Sequence, residues 1–303
     1  MKYRNLRYTY SVLGLAVIMF LSVREIMGLL LSFLPIEAGT VPYIVINMVT
    51  FLVSCIIPAI TMENMLGLHP KLFKKASLPD VAASGLYSYL LILGAGLANS
   101  IILAVAAKAG LQFAPRTITI PEGAAAFVLY FMHICILPPL LEEIFLRGYV
   151  LNALKPAGTT FAVVVSSAVF SLMHSSLENF LLYFACGIIL AKVYLTFDSI
   201  FASMLVHFIN NTMSFFMLYF QQQINAVSAL SLVALVNVFV LILGFVAKRY
   251  LDKNKFRFKK VLVKDEELSA KLLSVSKSPV ALTAFGLLLF FAAFQSFHNI
   301  VRV

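Results

Sequence analysis

Charge is scarce in this chain. Only 12% of its 303 residues are charged, while 61% are hydrophobic. Several apolar runs exceed the roughly 18–20 residues that cross a bilayer core, which excludes a soluble globular domain. Cysteine patterning is also lacking. Cys55, Cys135 and Cys186 sit in apolar segments at unrelated spacings, so they read as packing residues and form no metal or redox motif. Internal repeats and low-complexity stretches are absent as well. No small-residue cleavage site follows the apolar N-terminal run, so that run reads as a retained first span, despite the Arg24–Glu25 pair within it.

What is present is an all-α, polytopic transmembrane helical bundle of about eight to nine spans. The apolar runs predict helices at 9–34, 43–62, 80–108, 124–154, 159–176, 179–196, 198–220, 226–247 and 279–297. The organisation expected is one transmembrane domain over 1–303, with a four-helix core at about 120–220. The stretch "DEELSAKLLSVSK" predicts a short amphipathic surface helix.

The net charge of +10 is concentrated in loops. Lys2, Arg4 and Arg7 precede the first span, Lys71, Lys74 and Lys75 follow the second, and Lys155 follows the fourth. Residues 248–264 carry eight Lys and Arg. The loops "PIEAGTVP", "QFAPRTITIPEG" and "QQQINA" hold one arginine between them. The positive-inside rule puts the basic set, and so the N-terminus, on the cytoplasmic side, and alternation through nine spans is consistent with it. Orientation explains the basic charge without nucleic acid. The partner it implies is the lipid bilayer, and the basic run after span eight could also meet anionic headgroups.

Some polar groups are not explained by orientation. Within "ILPPLLEEIFLRGYVL" stand Glu142, Glu143 and Arg147, and other spans contribute His133, His174, His207, Asn210 and Asn211. A charge at the bilayer centre costs about 2.5–3.5 kcal/mol on insertion scales, so such groups face a cavity or a partner. Glu178 and Asp198 fall at span ends and read as interfacial. At 1.5 Å rise per residue, Glu142, His174, His207 and Asn211 lie about 18, 22, 13 and 20 Å from the cytoplasmic side, whereas His133 lies about 30 Å away and leaves the group. Glu143 and Arg147 are one turn apart and can pair, with Glu142 turned about 100° away.

This set suits hydrolysis. With Arg147 holding Glu143 ionised, Glu142 is the candidate general base. His174 could bind the attacking water, and His207 and Asn211 could donate to a developing oxyanion. Singly, each residue has a plainer reading, as an ion pair or hydrogen bond that knits helices together, and Phe170 reads as packing.

The ordered trio "EEIFLR" (142–147), "FSLMH" (170–174) and "HFINN" (207–211) resembles the CAAX protease and bacteriocin-processing family of intramembrane proteases, relatives of the type II CAAX prenyl endopeptidases. The resemblance implies a cavity open to the cytoplasmic side and an endopeptidase acting on peptide or lipidated protein substrates, in CAAX-type processing or bacteriocin maturation and self-immunity. It also implies Glu142 as the water-activating residue, Glu143 and Arg147 as its support, His174 as the second-motif histidine, and His207 with Asn211 at the oxyanion. The expected setting is a bacterial plasma membrane. The family has been described both as zinc-dependent and as metal-free. Two histidines and two glutamates could hold zinc in principle, but HExxH is absent and a Glu143–Arg147 pair would compete for the metal, which favours no cofactor. A non-catalytic scaffold or immunity protein is the alternative, and an ion-coupled transporter a weaker one, since matching half-repeats are not evident.

Overall fold

The computed structural model describes residues 2–70, 74, 76–113, 119–298 and 300–301; Lys71, Lys75 and Arg116 lie outside the described residues. Ten helices follow in order: α1 (Lys2–Ser32), α2 (Val41–Leu66), α3 (Leu78–Lys108), α4 (Ala124–Ala157), α5 (Thr159–Met173), α6 (Phe180–Phe197), α7 (Ile200–Gln223), α8 (Ala226–Lys253), α9 (Leu268–Val275) and α10 (Pro279–His298). A two-residue antiparallel pairing, Gln112 with Val301 and Phe113 with Ile300, is the only strand pairing among the described residues. The protein is an all-α polytopic bundle. Among the described residues eight helices are long and apolar enough to cross a membrane.

The segment expected as a span at 159–176 is shorter. α5 ends at Met173, about 22 Å from its start at 1.5 Å per residue. Its place explains this: all but three of its fifteen residues are buried, so it is wrapped by protein instead of lipid. Small side chains let neighbours approach it closely, as membrane helix packing favours. A Cβ on Gly187 of α6 would stand 2.8 Å from Ser167 Cβ. The outer faces are apolar because lipid is their solvent; Leu235, Phe239, Ile242 and Phe245 of α8 are all exposed. The helix expected in "DEELSAKLLSVSK" is α9.

α4 is not uniformly α-helical. It widens into π-type turns at Met132–Ile136 and Ile144–Leu151. Pro138 and Pro139 account for the first. Neither has an N–H, so the carbonyl of Ile134 has no backbone donor at either the fourth or the fifth residue onward.

Candidate active site

Four helices bring the three motifs together. On α4, Arg147 Nη1 donates to Glu143 Oε1 at 2.9 Å, one helical turn away. Arg147 Nη2 donates to the carbonyl of Gly187 on α6 at 3.0 Å. The guanidinium also lies over the Phe170 ring of α5, 5.2 Å from its centroid. Glu143 and Arg147 are almost wholly buried. Buried ions persist only when paired and hydrogen-bonded, and this pair has both.

His207 of α7 approaches the same carboxylate, Nδ1 to Glu143 Oε1 at 3.1 Å. A carboxylate only accepts, so Nδ1 carries the proton and Nε2 is directed elsewhere. Nε2 lies 4.0 Å from Glu142 Oε2. Glu142 is 7% exposed, and its Oε2 has no hydrogen-bond partner. The two adjacent glutamates therefore differ: Arg147 and His207 both hold Glu143 through Oε1, its Oε2 being unpartnered like that of Glu142, whereas Glu142 has no cation bonded to it.

His174, the residue after α5, sends Nδ1 to the carbonyl of Phe170 at 2.8 Å. By the same logic Nδ1 donates, which leaves Nε2 as an acceptor. The ring stacks on Tyr183, with centroids 4.1 Å apart. Phe170 packs edge-on to both His174 and His207, at 4.7 and 5.8 Å. Asn211 donates through Nδ2 to the carbonyl of Ile134 at 3.1 Å.

A cavity of about 240 Å³ is lined by His174, His207 and Asn211 with Phe170, Tyr183 and Cys186. Glu142 is not among its lining residues; it reaches the group through His207. His133 stands apart, in a cavity of about 740 Å³ with Tyr43, Asn47 and Tyr130. Asp198 ends α6 and pairs with Lys74 at 2.7 Å, and Glu178 meets Ser296, both at helix ends.

Among the described residues no three His, Cys, Asp or Glu side chains converge as a metal site. Glu143 Oε1 is shared by Arg147 and His207, and one nitrogen of each histidine is taken. With fewer than three such groups converging among the described residues, the set falls short of the three protein ligands that a catalytic zinc takes.

Sequence reading missed several members. Gly187 supplies the carbonyl for Arg147, and Tyr183 the stacking face for His174. Arg24 of α1, an intramembrane charge in the sequence, donates to the Met173 carbonyl and to Ser175 on either side of His174.

The family model described as type II CAAX prenyl endopeptidase Rce1-like matches residues 124–213. Over this stretch, the Rce1-like segment, the chain is similar to that family. The segment holds Glu142, Glu143, Arg147, His174, His207 and Asn211, and so every motif residue gathered above. A curated relative, named "Putative membrane peptidase YdiL" of Bacillus subtilis (strain 168), is 35% identical over 78 residues, 25% of this chain and 32% of the relative. The chain thus matches about a third of that relative's length. No solved structure matches. Among the described residues eight helices can cross a membrane, which makes this an integral membrane protein, and its similarity to a membrane peptidase family lies within 124–213.

Proposed function

We propose that the protein is an intramembrane endopeptidase in which Glu142 activates water against a peptide or lipidated protein substrate. The observation that carries this reading is the contrast between the two glutamates. Glu143 Oε1 is fixed by both Arg147 and His207, whereas Glu142 has no bonded cation and its Oε2 only approaches His207 Nε2, at 4.0 Å. An open carboxylate in a low-dielectric site is a competent proton acceptor.

In this mechanism water attacks the scissile carbonyl carbon as Glu142 takes its proton. The carbonyl π pair becomes an oxyanion facing the cavity. Asn211 Nδ2 has a second hydrogen beyond the one given to Ile134, and His207 Nε2 can donate once the ring is doubly protonated. Collapse of the intermediate breaks the C–N bond, and the proton on Glu142 passes to the leaving amine. His174 Nε2, its ring fixed through Nδ1 and Tyr183, accepts from the attacking water.

The basic loops orient the chain in a cell membrane with a cytoplasmic N-terminus. Because the matched family is described as prenyl endopeptidases, a prenylated CAAX-type peptide is the first substrate to try, with bacteriocin-type peptides beside it. The test is cleavage by purified protein of matched prenylated and plain peptides, with Glu142→Gln as control. Cleavage that Glu142→Gln abolishes supports the reading; wild-type and variant rates that coincide refute it.

A further inference from the structure

The turn between α5 and α6 carries His174 and lies where α5 stops short of a full membrane span. Irregular backbone at such depth survives only where protein covers it and satisfies its polar groups. Besides bonds within the turn, such as Ser171 Oγ to the carbonyl of Phe180, partners come from three helices outside the Rce1-like segment. Asn99 of α3 donates to Asn179 Oδ1 at 3.0 Å. Ser296 of α10 accepts from the backbone N–H of Leu177 at 2.8 Å. Arg24 of α1 makes the two contacts that bracket the histidine: Nη1 donates to the carbonyl of Met173 at 2.8 Å, and Nη2 to Ser175 Oγ at 2.9 Å.

Each contact answers a local need. Met173 ends α5, so its carbonyl is one of the helix's last four and lacks an intrahelical donor. A cation there also meets the negative end of the helix dipole. Ser175 has φ +50°, a left-handed conformation that a side chain disfavours. The guanidinium fork can reach both sites together, which an ammonium, a single point, cannot. Glu25 Oε1 accepts from Nε and Nη2 at 2.9 and 2.6 Å, so the fork is itself held.

We infer that Arg24 is a positioning residue for His174: clamping Met173 and Ser175 fixes the turn that aims the imidazole into the cavity. The catalytic consequence rests on the peptidase reading above; the positioning itself does not. The N-terminal helix is then part of the working site and more than a membrane anchor.

The test uses full-length protein in micelles, labelled with ¹³C at histidine Cε1, with the His174 signal assigned by His174→Gln. Arg24→Lys keeps the charge and loses the fork, Arg24→Gln loses both, and Ser175→Ala removes one contact. In all three the His174 signal is expected to shift or broaden while that of His133 stays. kcat is expected to fall about thirty-fold in the Arg24 variants, as misplaced catalytic groups do, with KM changed by less than about two-fold. A merely structural staple would lower the yield of folded protein and leave kcat per folded molecule and the His174 signal intact, and that result overturns the inference. Should Arg24→Gln fail to fold, Arg24→Lys and Ser175→Ala decide it. Should wild-type protein cleave no peptide, the peptidase reading fails, and the His174 signal alone still decides the positioning.

Discussion

The side-chain amide of Asn211 donates to the main-chain carbonyl of Ile134 at 3.1 Å, and that carbonyl has lost its helical partners because Pro138 and Pro139 occupy both candidate positions. The prolines that widen α4 upstream of the glutamates thus create the acceptor that ties α7 to it. Asn211 serves the fold with one amide hydrogen and faces the cavity with its side chain.

Replacing Asn211 with Leu should therefore destabilise the protein by about 1 kcal/mol, the cost of leaving a half-buried carbonyl without its donor. Pro138→Ala in that background restores an N–H to Ile134 and should recover much of the loss in melting temperature without recovering peptide cleavage. Unchanged melting of Asn211→Leu would show that the contact contributes nothing.

The two glutamates should separate by phenotype. Glu142→Gln keeps the shape but cannot take a proton, so turnover should drop by about 10²–10⁴ with near-normal thermal stability. Glu143→Gln leaves Arg147 buried without its counter-ion and should cost about 3–5 kcal/mol, with activity persisting in the folded fraction. Single-turnover rates and thermal melts on both variants check this. Near wild-type turnover in Glu142→Gln would sink its assignment as the base.

Gly187→Ala probes the close approach of α5 and α6. Its Cβ would sit 2.8 Å from Ser167 Cβ and 2.9 Å from Ser167 Cα, so the helices must part. Overpacking of this kind costs about 1–3 kcal/mol, and here it also draws the Gly187 carbonyl away from Arg147. The companion change Ser167→Gly removes the Cβ and Oγ contacts and should recover part of the stability, the approach to Cα remaining. If the double variant melts no higher than Gly187→Ala, the steric account is wrong.

Since the donor set does not assemble a zinc site, peptide cleavage should survive prolonged chelation, and purified protein should carry well under one zinc per chain by elemental analysis. One tightly bound zinc whose removal abolishes activity, restored on its return, would reverse that expectation.

The sequence alone determined the element plan. Apolar runs long enough for a bilayer placed the helices to within a few residues at most ends, because in lipid every backbone group must be satisfied within the segment and helices are the local solution. Spacing also determined the Glu143–Arg147 pair, since residues four apart share a face. A common depth, taken from rise per residue and loop charge, picked out Glu142, His174, His207 and Asn211 and set His133 aside; the structure lines one cavity with the last three and leaves Glu142 behind His207, outside the lining.

Tertiary structure decided everything that depends on rotation about helix axes. Periodicity is silent there, because lipid-facing and protein-facing positions are equally apolar. That His207 bonds Glu143 and only approaches Glu142, that Gly187 feeds Arg147 a carbonyl, and that Arg24 reaches across 149 residues to Met173 all arise from which faces meet. α5 was read as a full span because hydropathy cannot tell a helix wrapped by lipid from one wrapped by other helices. Composition shows how apolar a surface is, and only packing shows what lies against it.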